Sequence, residues 1–382
     1  MTFISISLLG GIGAIPTQMR SSIDYAIYLE PSRAPYLQLA LAQAQAIERI
    51  SFIFPMFFIA VTVLVVFMTI TRMIEQDRGQ IATLKTLGYR QDQIVAKYIY
   101  FTLVASSVGA FLGLLGGAFG VAPLIFNSVM EFHDLPAVSG SVPFIGLGVV
   151  FLMIGFSISA AGFTAFHIAR RRPAQLLTAK APRIGGKILL ERIPFLWKPL
   201  PFRYKSGLRN IFRYRVRFFM TVLSVTFSTA LVFWGIALSF TIAQTDPHMV
   251  DTIRPISIII VIAAILLNAM VIYNITNINI DERHREIATL RVLGYRNVEV
   301  VGYVYREIFI LTLIGVIFGL PTGFYSVGVL FDFIEFGNRD YVNWYNWVIT
   351  GGLSLLSLAL ADLLLFKKIH NVDMNTSLKA VE

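Results

Sequence analysis

"IATLKTLGYR" runs from Ile81 to Arg90, and "IATLRVLGYR" runs from Ile287 to Arg296. Eight of the ten letters agree across an offset of 206 residues; the two differences are Lys85 against Arg291 and Thr86 against Val292. Neither copy holds a catalytic constellation. Each one follows a long apolar stretch, and the same offset carries Gly109, Gly113 and Gly117 onto Gly315, Gly319 and Gly323 in the next apolar stretch. Spacing and sequence agree on a unit written twice.

Composition says what kind of unit. The chain is 56% hydrophobic and 14% charged, where a soluble domain carries roughly 25% charged residues. Seven stretches, at 51–72, 99–130, 142–167, 218–243, 255–280, 304–331 and 344–366, are long and apolar enough to cross a bilayer. The expectation is an all-α polytopic membrane protein of the plasma membrane with seven transmembrane helices. The second and sixth stretches are overlong and glycine-rich, which predicts tilt or a break. Cysteine is absent, so disulfides, thiolate metal sites and cysteine nucleophiles are excluded. The histidines at 133, 167, 248, 284 and 370 have no metal-ligand spacing.

The net charge of +10 could suggest a nucleic-acid partner, but its distribution argues for topology instead. Fourteen Lys/Arg and one acid, Glu191, lie between His167 and Arg217. The loops 131–141, 244–254 and 332–343 contain only Arg254 and Arg339 as basic residues, beside seven acids. Basic loops stay cytoplasmic, which predicts the N-terminus outside, the C-terminus inside, and two parallel repeats of the same orientation. The partner implied by the charge is the lipid bilayer, with no nucleic acid.

The chain then divides into four parts. Residues 1–48 read as an extracytoplasmic segment, the tail of a larger external domain; 49–177 form the first repeat with three spans. Residues 178–217 are a basic cytoplasmic linker with Pro182, Pro194, Pro199 and Pro201, ending in an interfacial helix in which Arg209, Arg213 and Arg217 recur every four residues. Residues 218–382 form the second repeat with four spans. The span at 218–243 has no counterpart before the first repeat, so a segment upstream of Met1 is expected to complete the unit.

The duplicated stretch itself reads as a short amphipathic helix on the cytoplasmic side. Ile74, Ile81, Leu84 and Leu87 make one apolar stripe and Ile280, Ile287, Leu290 and Leu293 the other, with charges between them. Gly88 and Gly294 sit where a left-handed cap would end each helix. A single such helix is well explained as an interfacial connector. Lipid contact constrains polarity, however, and not letter-by-letter identity, whereas docking twice on a twofold partner does constrain it. The glycine stripes suit close helix packing. Asn268, Asn274 and Asn277 suit interhelical hydrogen bonds, and Asp362, about one turn from Lys367 and Lys368, suits an interfacial ion pair.

"ERHREIATLRVLGYRNVEVV" (282–301) and "SGLRNIFRYRVRFFMTVLSV" (206–225) resemble the signatures of FtsX-like permeases of the MacB and LolC type. The resemblance covers both repeats, in a duplicated form without the first span of its first half. It implies a permease subunit of an ABC transporter complex, with coupling helices that dock on a separate ATPase subunit working as a dimer. ATP would be bound by that partner, and no cofactor by this chain, in which no Walker P-loop is written. No enzymatic activity of its own is implied. An extracytoplasmic or lipoprotein partner is a further expectation. The coupling residues carried over are Arg78, Gln80, Ile81, Leu84, Lys85, Leu87 and Gly88, and Arg285, Glu286, Ile287, Leu290, Arg291, Leu293 and Gly294. In the first copy Gly79 and Gln80 replace Arg285 and Glu286, which predicts a weaker dock there. The alternatives are an ion-coupled secondary transporter with parallel repeats, and a membrane sensor or scaffold regulating an external enzyme.

Single cysteines placed in this Cys-free chain test the topology. Impermeant reagents applied to intact cells should label positions 134, 246 and 340 and spare positions 90, 170, 187, 296 and 379; labelling at 187 would sink the seven-span arrangement.

Overall fold

The computed structural model of the chain describes residues 34–121, 123, 144–170, 205, 209, 215–245, 247–282, 292, 294–295, 297–334 and 337–370. These residues form α1 (Ala34–Gln76), α2 (Arg78–Thr86), α3 (Gln91–Gly116), α4 (Phe144–Ala169), α5 (Arg215–Thr245), α6 (Pro247–Glu282), α7 (Asn297–Ile334) and α8 (Trp344–His370). A 3-10 turn at Arg339–Tyr341 precedes α8. Seven of the helices contain a stretch long and apolar enough to span a membrane, and the chain is an all-α, multi-pass membrane protein. The segment 1–33, most of the linker at 178–217 and residues 371–382 lie outside the described residues.

The two overlong spans resolve differently. α3 starts at Gln91, earlier than the apolar run suggested, because its first turns bury Ile94, Val95 and Tyr98 against α2 and α4. At its far end it widens into a π-helical turn at Gly117–Val121, where Gly116, Gly117 and Gly120 leave few side chains to hold the tighter ladder. α7 runs unbroken through Pro321. The hydroxyls of Thr322 and Ser326 bond back to the Phe318 and Thr322 carbonyls in the same stretch, as Ser and Thr side chains do within helices.

α5 is the axis of the second half. Of its membrane stretch 83% is buried, against 22% for that of α3. Its neighbours are α7, α6, α8 and α1. Glycine makes the closest approach possible: a methyl added at Gly315, Gly319 or Gly323 would lie 2.6 Å from Val225 Cβ, 2.7 Å from Thr229 Cβ or 2.7 Å from Phe233 Cβ. Both series step by four residues, so one row of α5 side chains lies in a furrow of α7. Two hydrogen bonds tie the seam, Thr226 Oγ1 to the Gly315 carbonyl at 3.2 Å and Trp234 Nε1 to Ser326 Oγ at 2.7 Å. On the other side Ser228 Oγ donates to Asn268 Oδ1 of α6 at 2.8 Å.

The packing order repeats. α8 lies beside both α6 and α7, as α4 lies beside both α1 and α3. Among the described residues no helix occupies, in the first half, the place that α5 takes in the second. There Gly113 and Gly117 of α3 are buried and Gly109 is half-buried. α1 joins the halves. Its Phe58, Val61, Val65 and Met68 belong to the large core with α5, α6, α7 and α8, while its Ile70 and Ile74 belong to a second core with α2, α3 and α4.

Gly319→Val should destabilise the protein by about 1–3 kcal/mol through overpacking of the α5–α7 seam. Gly155→Ala, inside α4 where nothing lies within 4 Å of the added carbon, should instead stabilise it by roughly 0.5–1 kcal/mol. Thermal unfolding of the detergent-solubilised chain measures both, and equal midpoints would refute the seam as a tight contact.

Candidate functional site

The first of the duplicated stretches forms an elbow between two spans. α1 passes into α2 through Asp77 alone, whose N–H still reaches the Met73 carbonyl at 3.0 Å and whose carbonyl accepts from Ile81 at 2.9 Å. α2 stops after nine residues. Leu87 is its C-cap, Gly88 follows at φ +90°, and the N–H groups of Gly88 and Tyr89 bond the carbonyls of Lys85 and Leu84 at 3.1 Å each. This is the Schellman ending, in which a left-handed residue turns the chain out of the helix. Space does not require the glycine, since nothing lies within 4 Å of a Cβ built there; the positive φ does. Arg90 is then extended and opens α3, its N–H held by Gln93 Oε1 at 3.0 Å.

Three polar ties fix the elbow to the bundle. Asp77 Oδ2 accepts from Lys97 Nζ at 2.9 Å and from the Tyr98 hydroxyl at 3.0 Å. Lys85 donates to the Ala169 carbonyl, which gives the last carbonyl of α4 a cationic donor, and Gln91 Nε2 adds a second bond at 3.3 Å to the Phe166 carbonyl, which also accepts from the Arg170 N–H. Burial holds the Lys85 ammonium below its usual value. Ile81 and Ala82 are buried beneath, with Leu84 at their margin. Between α2 and α3 a cavity of about 210 Å³ opens beside Gln80, Leu84, Tyr89 and Lys97.

Several expectations about the site change here. Leu87 is not part of the inward stripe: still in helical backbone conformation and bonded through its N–H to the Thr83 carbonyl, it is 70% exposed at the end of α2. Lys85 is not a free outward charge but a latch. Arg78 is half-buried and Gln80 exposed at the rim of the cavity. In the second elbow Arg285, Glu286, Ile287, Leu290, Arg291 and Leu293 lie outside the described residues. Gly294 has φ +88°, matching Gly88, and Tyr295 is 52% exposed where Tyr89 is 51%.

Sequence reasoning passed over Lys97, Tyr98 and Glu307. Lys97 and Tyr98 lie about twenty residues from Asp77, a separation that no local pattern announces. Glu307 is buried, at 4% exposure, near the start of the α7 span. The asparagines do not share one face: Asn268 meets α5, whereas Asn274 Nδ2 reaches Thr69 Oγ1 of α1 at 3.4 Å. Tyr305 donates to the backbone carbonyl of Asp362 at 2.6 Å, and the Asp362 Oδ1 atom is buried without a partner among the described residues. The side chains of Lys367 and Lys368 lie outside the described residues. Among the described residues no group of three His, Cys, Asp or Glu could hold a metal ion.

Two glycines separate backbone strain from space. Gly88→Ala should cost about 1 kcal/mol or somewhat more, because φ stays positive. Gly79→Ala, inside α2 with open space around it, should stabilise by roughly 0.5–1 kcal/mol; unfolding midpoints that move the same way would contradict the assignment of Gly88 as an obligatory left-handed cap.

The C-terminal domain of FtsX-like permeases matches the chain twice, over residues 52–174 and 258–374. No curated protein and no solved structure matches it. The first matched segment holds the later part of α1 with α2 to α4 and the second holds most of α6 with α7 and α8, so each contains three spans and one copy of the repeated ten letters, and α5 lies outside both. Permeases of this family generally work in the membrane with an ABC ATPase. With the two matches covering more than half of its length, and with seven membrane-spanning helices around them, the chain belongs to the FtsX-like permease family of ABC transporters and is a multi-pass protein of the cell membrane.

Proposed function

We propose that this chain is the subunit that converts ATP hydrolysis by a separate ATPase dimer into movement of its spans, and that its two elbows are the docking points. One observation carries the reading: Gly88 and Gly294 both take a left-handed backbone conformation, and an apolar and an aromatic side chain are exposed beside each. These are Leu87 and Tyr89 at 70% and 51% exposure, and Val292 and Tyr295 at 61% and 52%. Exposed apolar groups beside a cavity are what a helix-docking partner buries. The basic charge of the loops on this side supports its assignment to the cytoplasm.

The route from elbow to bundle supports the same reading. α1 has 43 residues, a rod about 65 Å long at the usual helical rise. Its lower turns are cemented to the elbow by Ile70, Ile74, Ile81 and Tyr98, and its middle turns to the large core by Phe58, Val61 and Val65. At its other end Arg49 Nη1 donates to the Phe333 carbonyl at 3.3 Å, near the end of α7. A displacement of α2 therefore moves α1, and α1 moves against α5 and α7. The work done at the far side is export, extraction of a membrane-bound cargo or mechanical transmission to an external protein. An ion-coupled carrier would need ionisable groups along a path between the halves. Asp362 and Glu307 instead sit near one end of their spans.

Leu87→Glu with Tyr89→Glu, and Glu286→Lys with Arg291→Glu in the second elbow, should each lower co-purification of a P-loop ATPase from native membranes about tenfold or more. Melting of the permease should not change. Lys85→Glu is unsuitable as a docking probe, because it breaks the latch to α4. Undiminished ATPase recovery with both double variants would remove the coupling role.

A further inference from the structure

At the end of the bundle opposite α2, the loop after α7 folds back against that helix and forms one wall of an open cavity of about 470 Å³. Two glycines shape it. Gly337 has φ +88°, and a methyl there would lie 3.0 Å from Phe331 and 3.1 Å from Thr241, so the chain turns tightly against the bundle. A methyl at Gly328 would lie 3.2 Å from Arg339 Cδ, so the bare backbone at 328 is the bed on which the arginine lies. Asn338 Oδ1 accepts from the Asp340 N–H at 3.1 Å and fixes the turn that carries Arg339.

Arg339 is held by rings. Its Cζ lies 4.1 Å from the Phe324 centroid and 4.9 Å from that of Tyr325, a stacked arrangement that leaves the edge donors of the guanidinium available. Asp340, its neighbour, accepts instead from Asn338 Nδ2 at 3.2 Å. The same cavity is lined by Asp332, which is exposed and forms no ion pair or hydrogen bond among the described contacts. One cavity thus presents a cation and an anion that do not neutralise each other. Beside them Tyr325 and Val329, within the apolar span of α7, are 66% and 69% exposed.

We propose that this cavity binds the headgroup of a phosphatidylethanolamine. The phosphate meets the Arg339 guanidinium, the primary ammonium meets the Asp332 carboxylate, and the acyl chains run down α7 over Val329 and Tyr325. A cavity of this size lies within the usual range for small ligands, about 300–1,000 Å³. Charge selects the ligand class. Asp332 disfavours a purely anionic headgroup, and Arg339 disfavours a cationic one. A choline headgroup supplies no N–H to Asp332, and Arg339 already covers the aromatic faces that a quaternary ammonium would seek. The exposed apolar flank selects a diacyl lipid over a soluble zwitterion.

The test is lipid retention by the purified full chain in detergent micelles doped with equal amounts of dioleoyl-phosphatidylethanolamine, -phosphatidylglycerol and -phosphatidylcholine, read by native mass spectrometry. The wild type should retain phosphatidylethanolamine about tenfold over the other two, the effect of one charge-assisted hydrogen bond. Asp332→Asn should lose that preference without a change in melting temperature, since Asp332 makes no described contact. Arg339→Gln should lose retention of every phospholipid. Soluble glycerophosphoethanolamine should not displace the bound lipid at matched concentration. Equal retention of the three lipids by the wild type, or unchanged selectivity in Asp332→Asn, would overturn the site. Displacement by the soluble headgroup would overturn the assignment to a lipid.

Discussion

The close approach of α5 to α7 is the contact on which the second half is organised. Lipid offers no hydrophobic driving force between apolar helices, so association in a bilayer depends on packing distance and a few hydrogen bonds. Gly315, Gly319 and Gly323 remove the side chains that would hold α5 away, and Val225, Thr229 and Phe233 occupy the space. α6 and α8 then close on the remaining faces, through Ser228 to Asn268 and through Phe233 to the Trp347 ring at 5.6 Å. A shift of α5 would carry all of these contacts with it.

α1 extends that organisation into the first half. Its side toward α5 includes Phe57, whose ring lies 4.0 Å from that of Trp234 at a tilt of 55°, and the Trp234 indole N–H is already bonded to Ser326 of α7. Its lower end belongs to a different core, built from the elbow with Ala161, Ala165 and Ala169 of α4. Small residues on α4 let α1 and α3 come close there, as the glycines of α7 do elsewhere. Two cores that share one long helix can move relative to each other only by moving that helix. This is the physical content of a transmission role.

The two copies share letters but not surroundings. Asp77 anchors the first elbow through Lys97 and Tyr98, whereas the residues at the same offset in the second copy are Arg283, Tyr303 and Val304. Glu307, buried in α7, corresponds to Phe101, which is 50% exposed in α3. The repeated ten letters agree at the turn itself, with its positive-φ glycine and half-exposed tyrosine, while the residues that flank it differ.

What the amino-acid sequence by itself determined is the set of properties that depend on local composition and repetition: seven spans, the duplication, the left-handed glycine at Gly88, and the glycine stripe at Gly315 to Gly323. Each follows from an apolar run, a spacing or a residue with one conformational specialty. The tertiary structure decided which charges are free. Periodicity places Lys85 among the charges and Leu87 in the apolar stripe, whereas in the fold the Lys85 ammonium sits on the Ala169 carbonyl and Leu87 is 70% exposed. The tie from Asp77 to Lys97 and Tyr98, and the cavity that holds Arg339 near Asp332, also appear only in three dimensions. Helical periodicity reports which face a residue occupies within its own helix. It carries no information about which carbonyl, ring or carboxylate of another helix arrives at that face, because in a bundle that is set by the crossing of distant segments.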